Sequence, residues 1–218
     1  MITIDALRVC EGQLTPLDGM TMHLTANAVH GVVGDGRGAL LRAVYGFTTP
    51  ESGSITSGGH PLRRQDMAFL TANPHFWPGL TARDCIELIR HYDPAADPAK
   101  LLRRLPVSPD LEAASLPPAE RKRLALVLVL MQRKPILLLD EPFRDLDAES
   151  RFALQELILR LGAEKRTLLI ASEAFAPLDG ICDDLYALRD GRVGRRYEHY
   201  EFDRAARELG AAPEIPEK

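Results

Sequence analysis

Cysteine is scarce in this chain, and what there is lies scattered. Cys10, Cys85 and Cys182 are far apart with no CxxC spacing, which excludes a disulfide framework and a cysteine-based zinc site and fits a reducing compartment. Neither sign of charge dominates: 27 Lys and Arg against 31 Asp and Glu leave a net charge of -4. No basic field therefore argues for nucleic acid, and no acidic tract argues for disorder. Long apolar runs are missing too. The longest, Leu124 to Met131, is closed by Gln132-Arg133-Lys134-Pro135 and falls well short of a membrane span. The first residues, MITIDALRV, lack the basic stretch and apolar core of a signal peptide. Six histidines, His23, His30, His60, His75, His91 and His199, show no ligand spacing and read as surface or turn residues. A cytosolic chain is expected, meeting a membrane only through a partner.

What is present centres on Pro135-Ile-Leu-Leu-Leu-Asp140-Glu141-Pro142, running on to Asp147. Consecutive aliphatic residues read as a buried parallel strand, and open α/β sheets bind ligands at the carboxyl ends of their strands. Asp140 there could hold magnesium through water, and Glu141 could polarise a nucleophilic water, as nucleoside-triphosphate hydrolysis requires. The same residues also suit a core strand followed by a turn, and the flanks must decide. Upstream, Val29 to Val33 is a short apolar strand, Gly34-Asp35-Gly36-Arg37-Gly38 a tight loop, and Ala39 to Tyr45 a helix ended by Gly46. That layout would turn backbone N–H groups and a helix N-terminus toward an anion.

The rest supplies an α/β frame. Ile2 to Val9 and Met20 to Leu24 suggest an antiparallel start, with turns at Gly12 and at Pro16 to Gly19. Pro50 to Gly59 reads as turn, short strand, turn, Met67 to Thr71 is a further strand, and Leu80 to Tyr92 is an amphipathic helix with Thr81 as its N-cap. Prolines at 94, 98, 106 and 109 break the chain around another short helix, so about 76–118 forms a small helical insertion. Arg121 to Gln132 is a helix whose basic first turn, Arg121-Lys122-Arg123, reads as solvated, while its remainder is apolar all round and hence buried. A helix over 148–161, the strand Thr167 to Ala171 and a hairpin-like Ala187 to Val193 complete a mostly parallel sheet. The tail from Tyr197 carries a short amphipathic helix over 202–209, followed by polar residues.

In order and spacing these landmarks resemble the ATP-binding cassette (ABC) ATPases that power membrane transporters, over roughly residues 3–195. Gly31-Val-Val-Gly34-Asp with Leu40 to Phe47 and Pro50 to Ile55 looks like the family's phosphate-loop region. Glu120 to Leu126 looks like the helix after its signature, Ile136 to Asp147 like its Walker B strand and D-loop, and Leu188 to Val193 like its closing strands. The resemblance implies an ABC-type P-loop NTPase fold, α/β with a mostly parallel sheet core, an N-terminal antiparallel β subdomain and a short helical subdomain. Residues 1–218 would form a single nucleotide-binding-like domain.

Against the family's G-x-x-x-x-G-K-[ST] pattern, two frames stand open. With Gly34 as first glycine the loop is short by about three residues; with Gly31 first, Arg37 falls on the lysine and Gly38 on the hydroxyl position. Neither frame supplies a lysine or a magnesium-binding hydroxyl, and Arg37 is expected to be a surface arginine. The signature maps to Leu116-Pro117-Pro118-Ala119-Glu120, where two prolines offer no N–H to phosphate. The Q-loop position is Ala72, the switch-histidine position Ser172, and no aromatic near Cys10 to Leu14 could stack on adenine. Asp140, Glu141 and Asp147 keep the family's side chains. One lost charged hydrogen bond costs about 1.5–3 kcal/mol, roughly ten- to a hundredfold in affinity.

The resemblance thus implies an ATPase-degenerate subunit in which Asp140 and Glu141 are insufficient alone and ATP with magnesium is held weakly or not at all. Its partners would be a membrane permease and a second cassette subunit, a different chain being favoured over a copy of itself, with no nucleic acid. It would sit at the inner face of the cell membrane through the permease, and Phe76 and Trp77 either pack internally or line the groove for the permease's coupling helix. Two alternatives remain: a functional ABC ATPase with an atypical loop, and a soluble interaction or regulatory module of cassette fold.

Overall fold

A computed structural model describes residues 1–210; the end of the tail expected beyond the last helix lies outside them. Strands β1 (Ile2–Glu11), β2 (Leu14–Leu24), β4 (Ser52–Ser57) and β5 (His60–Pro61) form an antiparallel sheet in the order β2-β1-β4-β5. The larger sheet joins β3 (Val29–Gly34), β6 (Met67–Leu70), β7 (Ile136–Asp140), β8 (Thr167–Ala171), β9 (Asp184–Arg189) and β10 (Arg192–Glu198) in the order β10-β9-β3-β8-β7-β6. Only the β9–β10 pair in it is antiparallel.

The central strands β7 and β8 are almost wholly aliphatic and buried because both faces of the sheet are covered there. Side chains alternate across a strand, so Leu137 and Leu139 enter a core built with helices α4 (Pro118–Met131) and α5 (Ala148–Ala163). Leu138 enters a second core, against the antiparallel sheet and helix α1 (Arg37–Tyr45). The next residue in phase with Leu138 is Asp140, and alternation therefore delivers its carboxylate to the α1 side.

Helix α2 (Ala82–Tyr92) opens on a reciprocal capping box between Thr81 and Asp84, and α3 (Ala99–Arg104) follows. Helix α6 (Phe202–Gly210) packs Phe202 edge-on against Phe175. Two expectations need correction. Pro16 to Gly19 is not a turn: β2 runs through it, and Gly19, at φ 71°, is skipped in the pairing as Leu7 faces Met20 and Arg8 faces Asp18. A glycine with positive φ marked a bulge rather than a chain reversal. His30 is not on the surface. It is wholly buried, with Nδ1 2.6 Å from Asp184 Oδ1 and Nε2 2.9 Å from the Thr25 carbonyl.

Candidate functional site

The carboxyl end of β7, the loop after β6 and the N-terminus of α1 enclose a pocket of about 300 Å³, whose lining includes Gly36, Arg37, Gly38, Ala72, Asp140 and Glu141. Asp35, Leu116 to Glu120, Asp147 and Ser172 lie outside it. Sequence-distant candidates thus meet here, while Leu116 to Glu120 and Asp147 stay apart.

The connection from β3 to α1 is unusually tight. Gly34 still pairs with Leu188 of β9, and the helix begins at Arg37, so only Asp35 and Gly36 intervene. Both glycines are obligatory. At Gly34 (φ 94°) an added Cβ would lie 2.2 Å from the Leu188 carbonyl oxygen, and at Gly36 (φ 89°) 2.4 Å from that of Pro16. Because the strand extends to Gly34, the frame with a loop about three residues short describes the backbone, yet the early helix start also puts Arg37 and Gly38 in its first turn. No side chain caps that turn, which leaves its orphan N–H groups facing the pocket side.

Arg37 is not the surface residue expected. It is half-buried, with Nε donating to Glu141 Oε1 at 2.9 Å and Nη1 to the Gly34 carbonyl at 3.1 Å. Arg144 approaches the same Glu141 oxygen at 3.9 Å and holds Glu173 at 3.2 Å. Glu141 itself is buried and sits at φ 49°, a sparsely populated region for a residue with a side chain. Its backbone N–H is fixed on the Ala171 carbonyl at 2.9 Å.

Asp140 is buried, and burial, joined by the neighbouring Glu141, pushes its carboxyl above the usual range against the pull of Arg42, Arg37 and Lys122. A Cβ added to Gly38 would lie 3.4 Å from Asp140 Oδ2 and 3.3 Å from Arg42 Nη1. Both contacts are tight, so a side chain at this position would need the Arg42 guanidinium or the Asp140 carboxylate to give by a few tenths of an ångström. For magnesium the donor set is incomplete: of the two carboxylates lining the pocket, Asp140 and Glu141, the second is paired with Arg37, and among the described residues no cluster of three His, Cys, Asp or Glu could hold a metal. The guanidinium groups of Arg37, Arg42 and Arg144 suit an anion, although Arg42 also binds Glu11 at 2.7 Å.

The least expected residue is Lys122. Instead of forming part of a solvated turn it is completely buried, and its Nζ donates to the Ala72 carbonyl at 2.5 Å and to the Glu141 carbonyl at 3.0 Å. The ammonium thereby ties α4 to the Ala72 loop and to the end of β7. Its spacing offered a signal: Leu126 and Val129, at i+4 and i+7, share its buried face. Arg123 is also engaged, with Asp147 at 2.9 Å and the Pro106 carbonyl at 2.7 Å. Asp147 caps α5 through the Ser150 N–H at 2.7 Å. Pro117 and Pro118 occupy the N-cap and first position of α4, Glu120 turns back to the Ser108 N–H, and Ser172 is buried with its N–H on the Val32 carbonyl at 2.9 Å.

Burial lowers the Lys122 pKa from its ordinary 10.5 to about 8. Between those values the unfolded chain holds more protons than the folded one, so this group makes stability rise with pH. Cys182 and Tyr186, both raised by burial, act in the opposite sense at high pH. Taking the difference from Lys122→Met cancels them. Urea titrations should show wild-type stability gaining on that variant as pH rises from about 8 toward 10.5; a difference flat in pH would contradict the buried ammonium.

Comparison with known proteins accords with this architecture. A family model described as ABC transporter matches residues 17–144. The thiamine import ATP-binding protein ThiQ of Jannaschia sp. (strain CCS1) is 28% identical, over 88% of this chain and 91% of its own. The aliphatic sulfonates import ATP-binding protein SsuB of Pseudomonas entomophila is 30% identical, over 86% and 73%. Among solved structures, an ATP-binding subunit of an ABC transporter superposes with a TM-score of 0.79 at 20% identity, over 97% of this chain and 95% of that one. A dimeric ATP-binding cassette in a post-hydrolysis state with ADP and Pi superposes with a TM-score of 0.80 at 18% identity, over 91% and 99%. The solved structures share the fold, the family model spans more than half of the sequence, and the chain belongs to the ABC transporter family.

Proposed function

We propose that this chain is a cassette subunit of an ABC transporter that docks to a permease and pairs with a second cassette, while its own phosphate site does not sustain ATP hydrolysis. The observation that carries the reading is the two-residue connection between β3 and α1, with Arg37 closed onto Glu141. A loop that wraps a triphosphate needs several successive N–H groups around the phosphates, and this one is too short to form the wrap. The cation left at the helix start neutralises the carboxylate that would orient water. Charge building on a transferring phosphoryl group has neither an ammonium nor a fully ligated metal to answer it.

Pairing with an intact cassette is the arrangement that leaves one working site, because the partner's phosphate loop would face Leu116 to Glu120 of this chain. Two copies of this chain would bring together two short loops and two proline-bearing signatures. The import ATP-binding proteins among its relatives favour an import system. Among the described residues no helix is long and apolar enough to cross a membrane, and Trp77, 82% exposed beside half-buried Phe76, favours a permease contact. Purification from the native source should recover a permease and a second ATPase with this chain; recovery of the chain alone would count against the assembly.

If the shortened backbone is decisive, restoring side chains alone is not enough. Arg37→Lys combined with Gly38→Ser should leave magnesium-dependent ATP affinity within a few fold of wild type, measured by calorimetry. A gain approaching a hundredfold, roughly the worth of one charged hydrogen bond at its upper limit, would instead favour a phosphate loop limited only by its side chains. That result would support the functional-ATPase reading, to which Asp140 and Glu141 also lend themselves.

A further inference from the structure

Away from the phosphate pocket, a second recess of about 300 Å³ lies where α3, the end of α4 and α5 converge. Its floor is aliphatic, with Leu101, Leu130, Leu157 and Leu161. Its rim is cationic: Lys100, Arg104, Arg133, Arg160 and Arg166 outnumber the two carboxylates, Asp97 and Glu164. The chain as a whole carries a net charge of -4, so the sign of charge is reversed locally. Arg104 is engaged by Glu156, and Arg166 by Glu164. Among the described residues Lys100, Arg133 and Arg160 have no ion pair, and they come from α3, the turn after α4, and α5.

We propose that this recess binds a small anionic amphiphile: an apolar chain lying on the leucine floor with a phosphate or carboxylate held by Lys100, Arg133 and Arg160. The floor residues Leu130, Leu157 and Leu161 are at most 9% exposed, so a flat protein face would not reach them, whereas a narrow inserted chain would. The volume lies at the lower end of the range for small-ligand sites, which are mostly apolar with a few placed polar groups. Guanidinium forks match phosphate and carboxylate alike. A ligand seated there would bridge α3 to α5 and hold the helical segment against the sheet core. The proposal stands independently of whether the phosphate pocket is active.

Octyl phosphate is the probe, titrated below its aggregation range into the full chain by calorimetry. Saturable binding is expected, with octanol and inorganic phosphate each at least tenfold weaker, and Arg133→Gln combined with Arg160→Gln should weaken octyl phosphate at least tenfold. The control Arg189→Gln changes an exposed arginine elsewhere and should bind like wild type, and thermal melts of all variants check folding. Vesicles of phosphatidylglycerol against phosphatidylcholine separate the sources. Retention on the former that is lost in the double variant assigns a membrane lipid, and no retention assigns a soluble amphiphile. Unchanged octyl phosphate binding in the folded double variant would overturn the proposal. So would inorganic phosphate binding as tightly as octyl phosphate, or a glutamate-rich peptide displacing the probe, which would give the recess to an acidic protein segment.

Discussion

Purified alone, the chain is expected to hydrolyse magnesium-ATP at the same near-background rate whether Glu141 is intact or replaced by Gln. A positioned general base typically contributes about 10²–10⁴-fold to rate, so in a working cassette this substitution would collapse turnover. Here the Glu141 carboxylate already accepts from Arg37 at 2.9 Å, with Arg144 3.9 Å away, and the group is buried in a strained backbone conformation. To orient water it would have to give up an ion pair screened from solvent, and the phosphate grip that would compensate is missing. A coupled phosphate-release assay on wild type and Glu141→Gln decides the matter. A fall of tenfold or more in the variant would show that Glu141 works as a base and would overturn the proposed inactivity of this site. In the proposed mixed assembly, the intact partner's own base should be the one whose loss stops turnover.

The largest effect on stability is expected from Lys122→Met. Methionine keeps the unbranched apolar stem but removes the donor shared by the Ala72 and Glu141 carbonyls. Each buried acceptor left without a partner costs about 1–3 kcal/mol. Relief from burying an ammonium acts in the opposite direction, because the amine is already driven toward neutrality by its surroundings. The net loss should be about 2–3 kcal/mol, and at roughly 2–4 °C per kcal/mol for a chain of this size the melting temperature should fall by about 4–12 °C. Lys122→Gln, whose amide offers two donors, should recover part of the loss. A variant as stable as wild type would mean that water replaces the ammonium and that α4 is not anchored through it.

Much of the frame was legible because it rests on local periodicity. The strand Thr167–Ala171, the Thr81 cap, the Gly46 stop after α1 and the buried apolar helix α4 each follow from residues within a few positions of one another. Pro16 to Gly19 misled because turn residues and a bulge in a continuous strand share the same composition, and only pairing with β1 tells them apart. His30 and Lys122 misled because polarity predicts exposure only on average; the partners that make their burial tolerable, Asp184 and two carbonyls, come from distant segments.

The sequence by itself determined the buried aliphatic strand that ends in Asp140 and Glu141, the glycine-rich turn before α1, and the absence of a Lys-Ser or Lys-Thr pair after it. These are properties of single positions and of short-range order. Tertiary structure alone decided that β3 runs to Gly34 and leaves a two-residue connection, that Arg37 closes on a glutamate 104 residues away, and that Lys122 lies beneath the site. The physical reason is the same in each case. Strand register, helix packing and the desolvation of a charge depend on which segments meet across the core, and no periodicity within one segment carries that information.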